Sequence, residues 1–418
     1  MTSEPVSWLY GLQSHGVKLG LDGIRSLLAL LDHPERAYPS VLVGGTNGKG
    51  SVAAMIDAML GASGRRSGLY TSPHLVRPNE RIRIDGDDLG SHALDCALTV
   101  VRDACERGLA EGKLAAHPSF FEVMTASALW AFSQSDVDGA VLEVGLGGRL
   151  DATNATEPLV SAIVTIDLDH VATLGATLGE IAAEKAGIVR AGRPLISGVA
   201  QPEAVAVLKR SCDTLGATWI DARATPLPAG CRLALDGTHQ RDNARVAVAA
   251  FEAFARAIKL PIDPRAVRHG LESARWPGRL QLVPGAPSIL FDGAHNVAGS
   301  ESLAAHLALR GGPKPVLLFA AMAEKDALGM LAPLAPHIAS VVATKPDVLR
   351  AADSNDLASA ARSLGLPAGS EPDTGRALER ARALAGPGGL VLVAGSLYLV
   401  GRVMAVLEGG ESPGPVSM

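Results

Sequence analysis

The chain has 418 residues, of which 47% are hydrophobic and 19% are charged, and its formal net charge at pH 7 is -5. This length predicts two or three globular domains, since a domain typically holds about 150 residues. The small negative charge, and basic stretches as short as residues 64–66, exclude the broad basic footprint of a nucleic-acid-binding protein.

Four cysteines are scattered along the chain without a C-x-x-C pair, at Cys96, Cys105, Cys212 and Cys231. We therefore expect neither a zinc site nor a disulfide framework, and we expect a reducing cytoplasm as the location. The N-terminus carries acidic Glu4 and lacks the basic-then-apolar pattern of a secretory signal. The uncharged stretch 383–401 is interrupted by GPGG at 386–389 and by Gly395, which favours a buried strand and a helix start over a membrane span.

Short apolar runs alternate with helical patterns over the first two thirds of the chain. The runs typical of buried strands are residues 38–45, 67–72, 138–145, 159–166 and 193–198. The stretches with helical periodicity are residues 50–60, 118–132 and 177–189. This alternation predicts an α/β fold with a mostly parallel, doubly wound sheet and helices on both faces.

A second series of strand-like runs occupies the last third of the chain, at residues 288–295, 315–322, 340–345 and 390–395. Residues 281–287 (QLVPGAP) carry two prolines and a glycine, which is typical of a joint between domains. We therefore predict a larger α/β domain over residues 1–284 and a smaller, Rossmann-like α/β domain over residues 285–418.

A glycine-rich stretch, VGGTNGKGSV at residues 43–52, joins the first strand-like run to a helical pattern. Glycines let the backbone curl so that amide groups point at phosphate oxygens, and the start of a helix adds its positive dipole end. Lys49 can reach the terminal phosphates of a nucleotide, although Gly50 separates it from Ser51 and breaks the strict G-x-x-x-x-G-K-[ST] pattern. An ordinary glycine-rich turn is the weaker alternative. The predicted nucleotide contacts from this loop are Gly45, Thr46, Asn47, Gly48, Lys49, Gly50 and Ser51.

Three polar residues each follow a strand-like run: Ser72, Glu143 and His170. The carboxyl ends of parallel strands share one rim, and α/β sheets bind their ligands there. From the pattern alone, a solvated strand-end acid and a structural histidine remain open alternatives for Glu143 and His170.

The loop GTNGKGS resembles the phosphate loop of the folylpolyglutamate synthases and dihydrofolate synthases, the folate branch of the Mur ligase family, in which the inserted glycine is common. Each further matching stretch is weak alone, but together they follow the family's order and cover most of the chain. They are TSPHLVRPNERIRIDG (71–86), SFFEVMTASALW (119–130), LEVGLGGRLDATN (142–154), DLDH (167–170), EKAGI (184–188), HQRDNA (239–244), WPGRLQ (276–281), FDGAHN (291–296) and GSLYLVG (395–401).

The resemblance implies an ATP-dependent amide ligase, with a P-loop ATPase and folate-binding domain over residues 1–284 and a glutamate-binding domain over residues 285–418. Such an enzyme phosphorylates a carboxylate with ATP, and the amine of L-glutamate then displaces the phosphate. Its work is mostly positioning and charge neutralisation. The implied partners are ATP, L-glutamate, dihydropteroate or a reduced folate, and one or two Mg²⁺ ions. We expect a cytoplasmic monomer that binds neither nucleic acid nor membrane.

The resemblance makes Ser72, Glu143 and His170 the ligands of a Mg²⁺ ion, with Ser51 as a weaker candidate because its hydroxyl is displaced by the inserted glycine. Mg²⁺ prefers hard oxygen ligands, which crowded phosphates and carboxylates supply.

The resemblance also implies that both domains hold ATP. Asn243 and Arg279 match nucleotide-binding positions of the family, and Asp292 and His295 contribute from the second domain. Each has an ordinary alternative when considered alone: a helix-cap asparagine, a surface arginine, and a turn after a strand.

The implied catalytic residues are Lys49, His170 and Lys185. A lysine at the EKAGI position is modified by CO₂ in related ligases, so we expect Lys185 to carry a carbamate that can bind a second Mg²⁺. Desolvation and a nearby Mg²⁺ lower the pKa of a lysine and expose the neutral amine that CO₂ attacks. The alternative is an exposed helix lysine beside Glu184.

A flat, largely aromatic pterin needs an apolar surface on which to stack. The resemblance assigns this pocket to Leu19, Ser119, Phe120, Phe121, Glu122, Leu150, Asp151 and Ala152. A pair of phenylalanines at a helix start is otherwise ordinary core. Ser396 and Tyr398, together with His295, are expected to meet the incoming glutamate.

Two other classes of function remain as alternatives. A Mur-type UDP-muramoyl peptide ligase carries a nucleotide-sugar domain ahead of its phosphate loop, whereas only about 40 residues precede Gly45 here. A non-catalytic P-loop nucleotide-binding module would not require Glu143, His170, Lys185 and FDGAHN together. ATP hydrolysis that depends on both a pteroate and glutamate separates the folate ligase from both alternatives. The pattern does not distinguish dihydrofolate synthase from folylpolyglutamate synthase activity.

Overall fold

The computed structural model describes residues 3–15 and 20–409, and these form two sheets. The strands are β1 (Ser40–Gly44), β2 (Ser67–Tyr70), β3 (Ile82–Ile84), β4 (Asp87–Asp88), β5 (Gly139–Glu143), β6 (Val160–Ile163), β7 (Leu195–Ser197), β8 (Trp219–Asp221), β9 (Gln281–Val283), β10 (Ser288–Phe291), β11 (Val316–Phe319), β12 (Ser340–Ala343), β13 (Ala368–Ser370) and β14 (Leu390–Ala394).

The helices alternate with these strands along most of the chain. They are α1 (Glu4–Gly11), α2 (Asp22–Leu30), α3 (Lys49–Ala62), α4 (Ser91–Ala110), α5 (Phe120–Gln134), α6 (Val171–Leu174), α7 (Leu178–Ala186), α8 (Pro202–Leu215), α9 (His239–Ala257), α10 (Pro264–Ser273), α11 (Val297–Arg310), α12 (Ala327–Leu331), α13 (Ser354–Ser363), α14 (Thr374–Ala385) and α15 (Leu397–Leu407). Every predicted strand-like run contains a strand, and the predicted helices are α3, α5 and α7.

The first sheet has eight strands in the order β4-β3-β2-β5-β1-β6-β7-β8. Its central strand, β1, pairs in parallel with β5 and β6, with Val43 opposite Glu143 and Gly44 opposite Ile163. These strands therefore end together at one rim. The edge is antiparallel where β3 pairs with β2 and with β4, so the sheet is mostly but not wholly parallel.

Both faces of the first sheet are covered, which confirms the doubly wound prediction. In β1, Val41 and Val43 pack into a core shared with α3, α9 and α10. Leu42 points the other way, into a core shared with α4, α5 and α7. This alternation follows from the two-residue period of a strand, and burial on both faces explains why the strands are apolar throughout.

The second sheet has six strands in the order β13-β12-β11-β14-β10-β9 and is parallel except for β9, which runs antiparallel to β10. Residues 281–287, predicted as a joint, therefore contain a strand of this sheet. The second sheet thus begins at Gln281, ahead of the predicted boundary at 284/285, which stays a prediction. The sequence pattern of a strand at residues 281–283 was weak because β9 has only three residues and its Leu282 is 51% exposed.

The uncharged stretch 383–401 forms the end of α14, the strand β14 and the start of α15. The breaks at 386–389 and at Gly395 separate these elements, as predicted. Across residues 3–15 and 20–409, no helix combines the length and the apolar character that crossing a lipid bilayer requires.

Candidate active site

The phosphate loop lies between β1 and α3 and is held against the segment that follows β6. The backbone amide of Thr46 donates to the carbonyl oxygen of Thr165 at 2.8 Å, and that of Asn47 donates to Thr165 Oγ1 at 2.9 Å. Gly48 caps α3 with φ 81°, and a Cβ at this position would lie 2.5 Å from Asn243 Oδ1. The first amides of α3 have no partner within the helix, so they can bind phosphate oxygens.

The glycine inserted into the loop has a packing reason. A Cβ on Gly50 would lie 2.5 Å from Cζ2 of Trp276, in the segment that precedes β9. The guanidinium carbon of Arg83 lies 5.1 Å from the centroid of the same indole, in position for a cation–π contact. The departure from the strict phosphate-loop pattern therefore lets Trp276 pack directly on the start of α3.

The hydroxyl that follows this glycine is tied to α9. Ser51 is 2% exposed, and its Oγ accepts a hydrogen bond from Gln240 Nε2 at 3.3 Å. Gln240 Oε1 in turn accepts from Asn243 Nδ2 at 2.9 Å. A chain of hydrogen bonds thus connects the phosphate loop to Asn243, the predicted nucleotide contact on that helix.

A buried carboxylate and an ammonium group meet at the rim of the first sheet. Glu143, the last residue of β5, is 4% exposed, and its Oε2 accepts a hydrogen bond from the backbone amide of Ser72 at 3.2 Å. Burial raises the pKa of Glu143, and the charge of Lys49 opposes that rise. Lys49 Nζ itself donates to the carbonyl oxygen of Thr46 at 3.1 Å. The solvated strand-end acid is therefore wrong for Glu143.

The side chains at this rim suit a magnesium ion that is completed by phosphate and water. Ser72, Glu143 and His170 line the same cleft. Among the residues that the structure describes, no three His, Cys, Asp or Glu side chains are placed to hold a metal ion by themselves. Mg²⁺ fits such a partial set, because it commonly binds through one or two carboxylates together with substrate phosphates and keeps several waters.

Lys185 is buried beneath the phosphate loop. It is 3% exposed, and its Nζ donates to the carbonyl oxygen of Gly45 at 2.9 Å. Burial, and after it the charge of Lys49, lowers the pKa of Lys185 to about 7. The exposed helix lysine weighed as an alternative is therefore wrong. A lysine with this pKa is partly neutral at physiological pH, which an ordinary lysine is not.

The segment after β10 presents Asp292 and His295 from the second sheet. Both oxygens of Asp292 accept backbone amides, from Leu280 at 3.1 Å and from Ala294 at 2.9 Å. His295 Nδ1 donates to the carbonyl oxygen of Gly293 at 2.8 Å, which leaves Nε2 as an acceptor. Burial lowers the pKa of His295 to about 4, so this imidazole is neutral at physiological pH.

Arg279 crosses in front of the same segment. A Cβ on Gly293 would lie 1.6 Å from its Nη1, so glycine is needed there for the guanidinium to pass. The guanidinium Nη1 donates to the carbonyl oxygen of Gly278 at 3.2 Å. The surface arginine weighed as an alternative is not what the structure contains, because Arg279 faces into the cleft between the sheets.

A cleft of about 400 Å³ lies between the carboxyl rims of the two sheets. It brings together all the predicted nucleotide and metal residues. They are Gly45, Thr46, Asn47, Gly48, Lys49, Gly50, Ser51, Ser72, Glu143, His170, Lys185, Asn243, Arg279, Asp292 and His295.

None of the predicted pterin residues that the structure describes lines this cleft, but two of them lie beside it. Gly145 lines the cleft, and a Cβ there would lie 2.6 Å from the Phe121 ring and 3.2 Å from Asp151 Oδ2. Phe121 packs against Tyr70 with ring centroids 6.1 Å apart. Asp151 caps the following turn, where its Oδ1 accepts from the amide of Thr153 at 3.0 Å. Two of the predicted pterin stretches therefore meet at Gly145.

Other predicted pterin residues have structural partners. Ser119 and Glu122 form the capping box of α5, in which the carboxylate of Glu122 accepts the Ser119 amide and hydroxyl at 2.8 Å each. Phe120 is 6% exposed and stacks on Tyr10, as the alternative of ordinary core predicted. Leu150 and Ala152 flank Asp151, whereas Leu19 lies outside the described residues.

The two residues predicted to meet glutamate lie at the start of α15. Ser396 is 3% exposed, and no hydrogen-bond partner of its Oγ lies within the described part of the chain. Tyr398 is half-buried, and Leu397 between them lines the cleft. Both residues therefore flank a residue that lines the cleft.

Two residues that line the cleft, Asp167 and Asp169, and two that contact Asp169, Asn296 and Lys325, were not predicted. Asp167 and Asp169 belong to the quoted stretch DLDH, and Asn296 ends FDGAHN, so a signal for them was present. Lys325 lies outside every quoted stretch, yet it forms an ion pair with Asp169 across the two sheets. Burial alone would raise the pKa of Asp169, but the charges of His170, Lys325 and His295 hold it well below its usual range.

In this structure a phosphate loop faces a second α/β unit across a cleft, and a buried glutamate and a buried lysine lie beside the loop. This combination defines an ATP-dependent ligase of the Mur type. Residues 278–397 match the family model described as Mur ligase, glutamate ligase domain. This match begins before the predicted joint, in agreement with the early start of the second sheet.

Comparison with known proteins identifies the branch. The chain is 34% identical, over 96% of its length, to the dihydrofolate synthase/folylpolyglutamate synthase of Bacillus subtilis, of which it covers 98%. It is also 38% identical, over 95% of its length, to a probable bifunctional folylpolyglutamate synthase/dihydropteroate synthase of Haloferax volcanii, and it spans 49% of that longer protein. The chain belongs to the folylpolyglutamate synthase/dihydrofolate synthase family.

Solved structures of related proteins share the fold of this chain over nearly its whole length. The Escherichia coli FolC structure in complex with DHPP and ADP has 32% identity and a TM-score of 0.86, covering 97% of this chain and 98% of that one. A bifunctional folylpolyglutamate synthase/dihydrofolate synthase with Mn, AMPPNP and L-glutamate bound has 31% identity and a TM-score of 0.86, covering 97% and 98%. These similarities favour the folate-ligase hypothesis over the Mur-type peptide ligase.

Proposed function

We propose that this chain joins L-glutamate to the carboxylate of dihydropteroate, of a reduced folate, or of both, at the expense of ATP. The substrate carboxylate attacks the γ-phosphorus of ATP, which gives an acyl phosphate and ADP. The amine of glutamate then attacks the acyl carbon, the amide bond forms, and phosphate and a proton leave. The proposal agrees with relatives named as folylpolyglutamate and dihydrofolate synthases and with related structures that hold ADP, DHPP, AMPPNP or L-glutamate.

One observation carries the proposal: residues from both sheets that suit ATP, a cation and an amide-forming reaction line a single cleft. A module that only binds a nucleotide needs the loop but has no use for Lys185 buried beneath it or for a second set of polar residues opposite. The phosphate loop shares its cleft with Asp292, Arg279 and His295, which suits an in-line transfer between ATP and a carboxylate.

In this proposal the chain holds ATP chiefly through backbone and cationic groups. The first amides of α3 and the ammonium of Lys49 bind the phosphates, and Arg279 adds charge from the opposite side. Asn243, positioned by Gln240, contacts the nucleotide from α9. These groups neutralise charge that grows on the transferred phosphoryl oxygens, where most of the catalytic effect of such enzymes arises.

We propose Mg²⁺ as the cation, held by Glu143, His170 and Ser72 together with phosphate oxygens. The carboxylate of Glu143 is buried and fixed by the Ser72 amide, and it forms no ion pair with a Lys, Arg or His side chain of the described residues, so its oxygens can bind a cation. A related structure holds Mn, which prefers similar oxygen ligands. The ion would neutralise the phosphates and orient the γ-phosphoryl group.

We also propose that Lys185 carries a carbamate. The neutral amine attacks the carbon of CO₂, a proton is lost from nitrogen, and the product is a carbamate anion that keeps one N–H. That N–H can continue to donate to the carbonyl of Gly45, as the amine does now. The pKa of about 7, and a position beneath the phosphate loop where an anion could bind a second Mg²⁺, support this modification.

The substrate assignments follow from the same cleft. We propose that the pterin lies against Phe121 and Asp151, which meet at Gly145, and that glutamate enters beside His295, Ser396 and Tyr398. The orphaned hydroxyl of Ser396 suits a carboxylate acceptor. We further propose a cytoplasmic monomer; the four cysteines are all free, as a reducing compartment requires.

A two-substrate assay tests the proposal. Purified protein is incubated with ATP, Mg²⁺ and radiolabelled glutamate, and either dihydropteroate or tetrahydrofolate. Incorporation with dihydropteroate alone identifies a dihydrofolate synthase, incorporation with tetrahydrofolate alone a folylpolyglutamate synthase, and incorporation with both a bifunctional enzyme. The Glu143→Gln variant serves as a near-isosteric inactive control. Glutamate-independent ATP hydrolysis, with no label in any pteroate, contradicts the proposal.

A further inference from the structure

Asp169 is a meeting point of the two sheets. It lies between β6 and α6 and is 7% exposed. From the second sheet, Asn296 Nδ2 donates to its Oδ2 at 2.9 Å, and the ammonium of Lys325 bonds to its Oδ1. From its own side, the backbone amide of His170 donates to the same Oδ1 at 2.8 Å.

Asn296 extends this network to the phosphate loop. Its Nδ2 also donates to Asn47 Oδ1 at 3.0 Å, and its Oδ1 accepts from Asn47 Nδ2 at 3.3 Å. The same Oδ1 caps α11 by accepting the amide of Gly299 at 2.8 Å. One side chain therefore connects a helix of the second unit to both the phosphate loop and Asp169.

Among the described residues, Asp169 is the acid that forms an ion pair with Lys325. The acids next to Lys325 in the sequence have other partners, since Glu324 pairs with Arg350 and Asp326 accepts the amide of Gly329. It lies in the loop between β11 and α12, and its side chain is 11% exposed against 6% for Asp169. A buried carboxylate or ammonium is costly by itself, and the two offset one another only while the pair is made. We call the arrangement of the two sheets in this structure closed, and a separated arrangement open. Separation would break the pair and return both groups to water, so the pair requires the closed arrangement.

The backbone at His170 adds a second role for this carboxylate. His170 has φ 49° and ψ 38°, a left-handed conformation that a residue with a Cβ adopts at a cost. The bond from its amide to Asp169 Oδ1 stabilises that conformation. In this conformation His170 lines the cleft, where we propose that its imidazole binds the metal.

We propose that Asp169 is a positioning residue, which links docking of the second unit, through Lys325 and Asn296, to the orientation of His170 at the metal site. The proposal deepens the ligase function proposed above and rests on it for the role of His170. In the open arrangement Asp169 loses the contacts that the second unit supplies, which are the hydrogen bonds from Asn296 and Lys325 and the approach of His295 Nε2 at 3.8 Å. Its carboxylate then hydrates, and its hold on the His170 amide weakens. Phosphoryl transfer is thereby confined to the closed enzyme.

Lys325→Met tests this proposal, because it removes the charge and keeps the apolar stem. We expect kcat to fall at least 10-fold while KM for ATP changes less than 3-fold, and Lys325→Arg to recover much of kcat. Lys345→Met is the matched control, since Lys345 is an exposed lysine after the neighbouring strand β12. A structural pair alone would lower the melting temperature and leave kcat unchanged, and that outcome overturns the proposal.

Two readouts do not depend on turnover, so they remain decisive if the ligase assay fails. Spin labels at Arg210→Cys on α8 and Leu309→Cys on α11, with Cys96 and Cys231 replaced by serine, report the distance between the units. With Mg²⁺ and AMPPNP we expect one short distance between the labels in the wild type, and a broad distribution of longer distances in Lys325→Met.

The second readout is the affinity for Mn²⁺ in the presence of AMPPNP, measured by electron paramagnetic resonance. We expect Asp169→Asn to bind Mn²⁺ at least 5-fold more weakly than the wild type. Wild-type distances in Lys325→Met, or wild-type Mn²⁺ affinity in Asp169→Asn, overturn the proposal.

Discussion

The ammonium nitrogen of Lys185 lies 2.9 Å from the carbonyl oxygen of Gly45, which ties α7 to the phosphate loop. Burial first, and the charge of Lys49 second, lowers the pKa of Lys185 to about 7. The low pKa has a direct chemical consequence. Near neutral pH a large fraction of the side chain is the free amine, and only that form reacts with CO₂.

The pH dependence of activation by bicarbonate follows from this pKa. Below pH 7 Lys185 is mostly protonated and unreactive, and above it the neutral amine is available. In enzyme depleted of CO₂, we therefore expect bicarbonate to stimulate turnover increasingly as the pH rises from about 6 to about 8. A ¹³C carbamate resonance after addition of labelled bicarbonate checks the modification itself.

Lys185→Arg is the matched variant, because it keeps a long cation that cannot form this carbamate. It is expected to be inactive and insensitive to bicarbonate at every pH. Full activity of this variant, or wild-type turnover that ignores bicarbonate, would exclude the modification.

Lys49→Ala removes the cation next to the nucleotide phosphates. We expect turnover to be abolished and the affinity for ATP to fall at least ~10-fold, since a charge-assisted contact to phosphate contributes about 1.5–3 kcal/mol. Isothermal titration with AMPPNP and Mg²⁺ measures the affinity. Lys113→Ala, an exposed lysine after α4, is the control. Equal affinity in the two variants would show that Lys49 does not contact the nucleotide.

Gly50→Ala tests the reason for the inserted glycine. Its Cβ would lie 2.5 Å from the Trp276 indole, so we expect a loss of about 1–3 kcal/mol in the free energy of unfolding and a large loss of activity. Gly61→Ala lies on the same helix with nothing within 4 Å of the new Cβ, and it is expected to stabilise by about 0.5–1 kcal/mol. Denaturant unfolding compares the two. A neutral Gly50→Ala would mean that the indole can move aside.

The burial of Asp57 predicts a pH dependence of the free energy of unfolding that is separate from catalysis. This carboxyl on α3 is buried, its Oδ1 has no hydrogen-bond partner among the described residues, and burial raises its pKa from 3.8 to about 6. Because the folded state then favours the protonated form, its contribution to stability is lost as the pH rises through 6. That loss amounts to about 3 kcal/mol at neutral pH.

Asp57→Asn abolishes this titration. We expect it to be up to about 3 kcal/mol more stable than the wild type at pH 7.5 and similar to it near pH 4. Asp213→Asn, on the exposed face of α8, is the control and should follow the wild type. The account of Asp57 is wrong if the variant is less stable at both pH values.

The nucleotide side of the site was predictable because it is built from local motifs on strand ends. A parallel sheet places Gly44, Glu143 and the residues after β6 on one rim whatever the details of packing, so a correct strand assignment already brings them together. The reason for Gly50 was hidden, since it depends on Trp276, which is far away in the sequence.

The sequence did not reveal the contacts between the two units. Lys325 stands in a loop without a recognisable pattern, and only the relative placement of the sheets makes it a partner of Asp169. The strands β3, β4, β8, β9 and β13 lie at or next to the sheet edges, and each has only two or three residues. They were missed because none is buried throughout, whereas β7 is as short but fully buried and was predicted from its apolar run. The pterin stretches were found by resemblance, but Phe120 and Glu122 have structural partners that a motif does not reveal.

The most direct test of the ligase assignment follows the oxygen atoms of the acceptor carboxylate. Dihydropteroate or tetrahydrofolate labelled with ¹⁸O in the reacting carboxylate is turned over with ATP, Mg²⁺ and L-glutamate, and the phosphate released is analysed by ³¹P NMR. An acyl-phosphate route predicts one ¹⁸O atom in the phosphate for each amide formed, with ADP as the nucleotide product. Unlabelled phosphate, or AMP and pyrophosphate in place of ADP, would contradict the reaction that we assign to this cleft.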